Sequence, residues 1–233
     1  MKDIFKHIVY GIIQRLMAIL SRLSFERGRI FMLHHVGEHE NEFCISPENL
    51  TLILKRYKDK TIKLSEWQKS KEVFYAFTID DVPEDFFYNG YPIFVKYSVP
   101  FTLFISTSLL DTPGYITSQQ LIEMLENPLC DIGSHGTEHS FFKGLSAMDR
   151  IDFLKDSKRK LEQICSRPID LFAFPYGSYY ACGFCDRHLV NEYYKYGFGT
   201  VNAPITSPEL LNAYFLPRIN IDQKWIIKNL KHH

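Results

Sequence analysis

The stretch from Asp131 to Phe142 reads DIGSHGTEHSFF and places two histidines, His135 and His139, four residues apart. Imidazoles at that spacing can share a ligand in two ways. On a helix, residues four apart lie on one face. In a turn leaving a strand, Gly136 lets the backbone curl so that both rings face one point. The apolar run and glycine before His135 favour the turn. Upstream, Asp80 and Asp81 stand at the end of the run VFYAFTID. Adjacent carboxylates repel, and buried charge is costly unless paired or bound to a cation. A helix N-terminus at the following VPED is the plainest account of them. Asp81 with His135 and His139 makes instead a three-ligand set that leaves coordination positions open, as in catalytic rather than structural zinc sites. Glu138 does not directly follow His135, so the HExxH arrangement is absent.

These side chains need elements that bring them together. From residue 29 onward, short apolar runs (RIFMLHHV, VFYAFTID, PFTLFIS, LCDIGSH, LFAFP, GFGTV and LPRINI) alternate with helix-length amphipathic segments. The helical segments are SPENLTLILKRY, EDFFYNGYPIFVKY, TSQQLIEMLEN, SAMDRIDFLKDSKRKLEQI, CDRHLVNEYYKY and DQKWIIKNL, with Ser46 and Ser118 as expected N-caps. Continuous apolar runs read as strands buried on both faces. Their alternation with helices implies parallel strands joined by right-handed crossovers. Seven runs favour a closed or nearly closed barrel, a distorted (β/α)7 fold. In such folds functional groups gather where strands end. That rule brings Asp80, Asp81, His135, Pro175 and Tyr176 to one mouth, with Arg218 in the last run. Phe86, Phe87, Tyr176, Tyr179 and Tyr180 are candidates there for stacking on a ring-shaped ligand or for core packing.

Composition narrows the partners. Lys plus Arg and Asp plus Glu number 27 each, and this zero net charge argues against nucleic acid. The five cysteines are odd in number and irregular in spacing, which fits a reducing compartment and no disulfide framework. Cys182 and Cys185 form a lone CxxC and read as ordinary thiols in a loop. The expected organisation is a helical extension, residues 1–28, before one barrel domain, residues 29–233. Apolar residues from Ile4 to Leu23 recur three or four apart, one face of an amphipathic helix. Two readings stand: a helix packed on the domain, or one lying on a membrane surface through residues 1–23. With no small-residue cleavage site after it, a cytoplasmic location at the inner face of the membrane is expected.

Three short motifs in order carry a resemblance. They are Thr78-Ile79-Asp80-Asp81-Val82, His135-Gly136-Thr137-Glu138-His139 and Phe174-Pro175-Tyr176-Gly177. The chain resembles the polysaccharide deacetylases, the NodB-homology group of carbohydrate esterases, over roughly residues 29–221. Their motifs are TFDDG, H(S/T)xxH and a strand ending in PYG. The resemblance implies a distorted (β/α) barrel and metal-dependent removal of acetyl groups from N-acetylated sugars. Carried over, Asp80 is the general base. Asp81, His135 and His139 bind a divalent metal, zinc first, with cobalt or nickel as alternatives. The Tyr176 backbone N–H helps hold the oxyanion.

The chain departs from the pattern in three places. Val82 replaces a glycine, Ala173 and Phe174 stand where an arginine orients the base, and no late Leu-x-His supplies the general acid. Arg218 is a candidate to stabilise charge. His34 and His35 are candidates for the acid, while His232 and His233 read as trailing residues. TIDDVP, FAFPYG, LPRINI and the leading LHHV resemble a subgroup tied to surface-polysaccharide assembly. That implies an O-antigen, capsule or similar glycan, or its lipid-linked precursor, as substrate. A barrel that binds glycan without hydrolysing it, and an O-acetyl esterase, are the alternatives.

Overall fold

The computed structural model describes residues 26–38, 43–183, 187–206 and 213–230, together with Ile12. Its strands are β1 (Gly28–Leu33), β2 (His35–Val36), β3 (Cys44–Ile45), β4 (Phe74–Asp80), β5 (Phe101–Ile105), β6 (Cys130–Ser134), β7 (Leu171–Ala173), β8 (Tyr196–Phe198) and β9 (Ile219–Asn220). Seven of them form one parallel sheet in the order β8-β7-β6-β5-β4-β1-β9, and β2 pairs with β3. Residues Ala213 to Leu216 hydrogen-bond to β8, while Ile219–Asn220 pair with β1. One stretch of chain therefore bridges the two ends of the sheet and curls it into the expected distorted barrel.

Helices fill the crossovers: α1 (Pro47–Tyr57), α2 (Tyr91–Lys96), α3 (Ser118–Glu126), α4 (Ala147–Cys165), α5 (Tyr179–Cys182), α6 (Val190–Tyr193) and α7 (Gln223–Leu230). Ser46 caps α1 as expected, accepting from the Asn49 N–H. Thr117, not Ser118, caps α3. Its hydroxyl accepts from the Gln120 N–H while the Gln120 side chain reaches back to the Thr117 N–H. Ser118 instead bonds to Asp111. The segment EDFFYNGYPIFVKY divides into a π-helical turn (Phe86–Gly90) and α2, and CDRHLVNEYYKY into a 3-10 turn (Arg187–Leu189) and α6. Cys182 is buried in α5 rather than in a loop.

The runs are continuously apolar because both faces of the sheet are buried. Phe31, Phe77, Ile79, Leu103, Phe172 and Ile219 face the helices. Ile30, Phe74, Ala76, Phe104, Leu171, Ala173 and Phe198 fill the barrel. The alternation along β4 matters most: Phe74, Ala76, Thr78 and Asp80 share the inner face. The inner face thus turns from apolar to polar toward the strand ends, and a site opens there.

The extension expected over residues 1–28 lies outside the described residues up to residue 25, apart from Ile12. Cys185, His232 and His233 lie outside them too. No helix among the described residues is long and apolar enough to cross a membrane.

Candidate active site

Asp80 ends β4 on the inner face and is 2% exposed. Arg218, fully buried, grips it with two hydrogen bonds, Nη1 to Oδ1 at 2.6 Å and Nη2 to Oδ2 at 2.7 Å. Arg218 also donates from Nε to the Gly199 carbonyl and from Nη1 to Thr78 Oγ1, both at 3.1 Å. Burial pushes the Asp80 carboxyl up. The Arg218 charge and its paired hydrogen bonds outweigh burial and hold it at about 2. Arg218 thus clamps Asp80 from the last apolar run, LPRINI.

Asp81 leaves the strand at φ 57°, and Val82 follows at φ 49°. Aspartate tolerates this left-handed region, while a β-branched valine there is strained by about 1–2 kcal/mol. The Val82 side chain is fully buried in the outer core, and its N–H closes a tight turn onto the Asp80 carbonyl at 2.6 Å. The turn aims the two neighbouring carboxylates apart: Asp80 to Arg218, and Asp81 to the histidines. Ser106 Oγ donates to Asp81 Oδ1 at 2.8 Å. Ser106 closes the run PFTLFIS on the inner face, and the strand-end rule applied to β5 points to it.

His135 is 1% exposed and follows β6, its N–H bonded to the Ile105 carbonyl at 2.8 Å. Its Nδ1 lies 2.8 Å from the Ala173 carbonyl. A carbonyl only accepts, so Nδ1 carries the proton and Nε2 presents a lone pair to the site. His135 Nε2 lies 3.8 Å from Asp80 Oδ2 and 4.0 Å from Asp81 Oδ1, and His139 Nε2 lies 3.4 Å from Asp81 Oδ2. Burial lowers the His139 pKa, with Asp81 opposing it. HGTEH is the strand-exit turn. Gly136 sits at φ 87°, and a Cβ there would meet the Phe153 ring at 1.9 Å. Its N–H donates to Ser134 Oγ (3.1 Å), which donates to Ser157 Oγ of α4 (2.9 Å), so a buried hydroxyl pair sets the turn.

Among the described residues, Asp81, His135 and His139 form a group whose ligand atoms all lie within 4.8 Å of one another. Two imidazole nitrogens, one with its tautomer fixed, and a carboxylate oxygen suit a divalent cation.

Tyr176 follows Pro175 at φ 59°. Gly177, at φ 58°, packs so closely on Thr200 that a Cβ would reach its Oγ1 at 2.1 Å. The Tyr176 ring is 51% exposed and lies between His139 (centroids 4.3 Å) and Phe141 (4.2 Å). Phe141 itself is 47% exposed. Of the expected aromatics, Phe86 and Tyr179 are core residues instead, and Phe87 is partly buried against the core. Phe141 was not among those expected, although it lies two residues after His139.

His34 follows β1, close enough to Asp80, Asp81 and Arg218 to feel their charges; burial dominates and lowers its pKa. His35 turns away. Its Nδ1 pairs with Asp85 Oδ2 at 2.8 Å, and this hydrogen bond, against partial burial, raises its pKa. The mouth therefore gathers Asp80, Asp81, His135, His139, Arg218, Tyr176 and His34, and leaves His35 aside.

Fold and site together define a class: a curled parallel α/β barrel whose strand ends gather carboxylates and imidazoles at one mouth. The polysaccharide deacetylase family model matches residues 68–197, more than half of the chain, and the chain belongs to that family. The Bacillus subtilis protein YxkH is 25% identical over 122 residues, 52% of this chain but 43% of YxkH, so the chain spans under half of that relative's length. The Streptococcus pyogenes deacetylase PplD, solved in complex with acetate, superposes with a TM-score of 0.77 at 22% identity, covering 89% of this chain and 97% of PplD. A de-N-acetylase from Aggregatibacter actinomycetemcomitans superposes with a TM-score of 0.69 at 16% identity, over 87% of this chain and 98% of that one.

Proposed function

We propose that this chain removes N-acetyl groups from sugars of a bacterial surface polysaccharide, using a divalent cation held by Asp81, His135 and His139, zinc before cobalt or nickel. The observation that carries the reading is the division between two adjacent carboxylates. Asp80 is clamped by a buried arginine, and Asp81 is turned toward two imidazole nitrogens. When bound, the cation supplies Lewis acidity to the acetyl carbonyl and to the attacking water. Asp80 takes the water proton, and Arg218 fixes both of its oxygens so that the accepting lone pair keeps its direction. A carboxylate held near 2 accepts only from an acidified donor, which is why the base and the cation site belong together. The Tyr176 N–H donates to the tetrahedral oxyanion, a contact worth roughly 3 kcal/mol. His34 gives its proton to the departing amine, and the burial that lowers its pKa makes its imidazolium the stronger acid.

The amide, rather than ester, preference is supported by the Aggregatibacter de-N-acetylase among the structural relatives, and the acetyl group by the acetate in PplD. The exposed face of Tyr176 and Phe141 suits the apolar side of a sugar ring. Val82, the missing arginine and the missing Leu-x-His motivate a non-hydrolysing glycan binder; against it stand the Arg218 clamp on Asp80 and a histidine, His34, near the same mouth. The polymer or its lipid-linked precursor is the substrate class, reached at the inner face of the membrane through residues 1–23. Membrane association unchanged by deletion of those residues would contradict that placement. Acetate release from N-acetylated sugar oligomers, with zinc or cobalt, tests the activity: the wild type releases acetate and Asp80→Asn does not. No release from any oligomer rejects the reading.

A further inference from the structure

Two buried polar atoms near the strand ends, His34 Nδ1 and Asn220 Oδ1, have no hydrogen-bond partner among the described residues. Asn220 stands on β9, and His34 directly follows β1, its parallel neighbour. Asn220 is in register with Met32, and the Ile221 N–H donates to the Met32 carbonyl at 2.9 Å. His34, two residues beyond Met32, therefore lies one step further toward the mouth than Asn220.

The faces agree as well. Side chains alternate along a strand. Arg218 points inward to Asp80, and Ile219 and Ile221 join the outer core, so Asn220 points inward. Met32 faces inward too, accepting the Thr200 hydroxyl at its Sδ at 3.5 Å. His34, two residues on, continues that face near Asp80, Asp81, His135 and Arg218. An unfilled imidazole nitrogen and an unfilled amide oxygen thus lie on one face of neighbouring chain segments, two residues out of register, and buried polar atoms are as a rule paired.

We infer that Asn220 is the positioning residue of His34: its side-chain carbonyl accepts the Nδ1 proton, directly after a rotamer change or through one water. The inference rests on the reading of His34 as proton donor to the leaving amine. A carbonyl oxygen only accepts, so it selects the Nδ1–H tautomer and leaves Nε2 to exchange the proton. In that step the Nε2–H bond breaks, an N–H bond forms on the departing amine, and the other proton stays on Nδ1, hydrogen-bonded to the Asn220 carbonyl. A neutral amide in this place steadies the ring without adding a further charge to a mouth that already holds two carboxylates and a guanidinium.

Two readouts test the inference with Asn220→Leu, which keeps volume and loses the acceptor. In long-range 1H–15N spectra of the metal-free protein, wild-type His34 is the Nδ1–H tautomer, and Asn220→Leu moves it to Nε2–H. In kinetics, the ratio of turnover on an N-acetylated sugar oligomer to turnover on 4-nitrophenyl acetate falls about tenfold to a hundredfold. Nitrophenolate leaves without a proton, whereas the amine needs one. The fall lies in kcat rather than KM, and Asn220→Asp, which keeps an acceptor, restores the ratio. Should Asn220→Leu not fold, Asn220→Ala gives the same two readings. An unchanged tautomer, or an unchanged ratio, overturns the assignment of Asn220 alone. A wild type that releases acetate from neither compound overturns the reading of His34 as the acid, and this assignment with it.

Discussion

Replacing Arg218 by methionine keeps an unbranched stem and removes the charge and all five donors. Asp80 is then left 2% exposed with no counter-ion. Two routes give the size of the effect. Breaking a buried, hydrogen-bonded ion pair from one side costs about 3–5 kcal/mol. Independently, a carboxyl held at about 2 in the folded chain and near its ordinary value when unfolded contributes about 2.5 kcal/mol at neutral pH. The sign follows from the depressed value: the contribution is full above about pH 4 and is lost as pH falls through about 2. In Arg218→Met burial acts unopposed and raises the carboxyl, so the variant's penalty is largest at neutral pH and relaxes in mild acid, where Asp80 takes a proton. Urea unfolding at about pH 7 should therefore show a loss of about 3 kcal/mol, shrinking markedly by about pH 4. Asp80→Asn in the Arg218→Met background should recover much of it, giving a strong coupling in the double-mutant cycle. A loss under about 1 kcal/mol, or one independent of pH, would refute the clamp.

Three further outcomes follow from the same geometry. Gly136→Ala forces a Cβ into the Phe153 ring at a φ of 87°, and should cost about 2–3 kcal/mol in denaturant unfolding and weaken zinc affinity through the displaced histidines; a wild-type unfolding curve would contradict this. Asp85→Asn keeps an acceptor for the Val36 N–H and removes the charge beside His35. Because the His35 pKa is raised, its contribution is full below about 6.5 and fades as pH rises through the raised value. The variant should thus lose roughly 0.5–1 kcal/mol in mild acid and little in alkali, and the opposite order would contradict the pairing. Phe141→Ala should raise KM for an N-acetylated oligomer while kcat stays near wild type, about 1 kcal/mol for a lost ring contact; an equal fall in kcat would place Phe141 in the chemistry instead.

The barrel was legible because each strand is buried on both faces and reads as an unbroken apolar run, and all seven runs are strands of the sheet. The Asp81, His135 and His139 group was legible because motif order and the strand-end rule point to one mouth. The Arg218 contact was not. Its partner stands 138 positions away, and only the curl of the sheet, with β9 beside β1 and β1 beside β4, brings the guanidinium across the barrel to Asp80. Ser106 and Asn220 carried a usable signal in their parity, since each continues the inward register of its strand. Ser118 lost the cap to Thr117 because the side chain that satisfies the first turn is set by one residue of phase, which helical periodicity does not resolve. Phe86 and Tyr179 went to the core for a related reason: aromatic type alone does not say which side of a turn faces water.

The account stands on Asp81, His135 and His139 holding a divalent cation on which acetate release depends. The most direct test is metal content by mass spectrometry after zinc loading and dialysis, measured beside acetate release, for the wild type and for folded Asp81→Ala, His135→Ala and His139→Ala. The account predicts a single retained ion in the wild type, its loss in each variant, and release that falls with chelation and returns with zinc. Equal retention in the variants, or release indifferent to chelation, would contradict it.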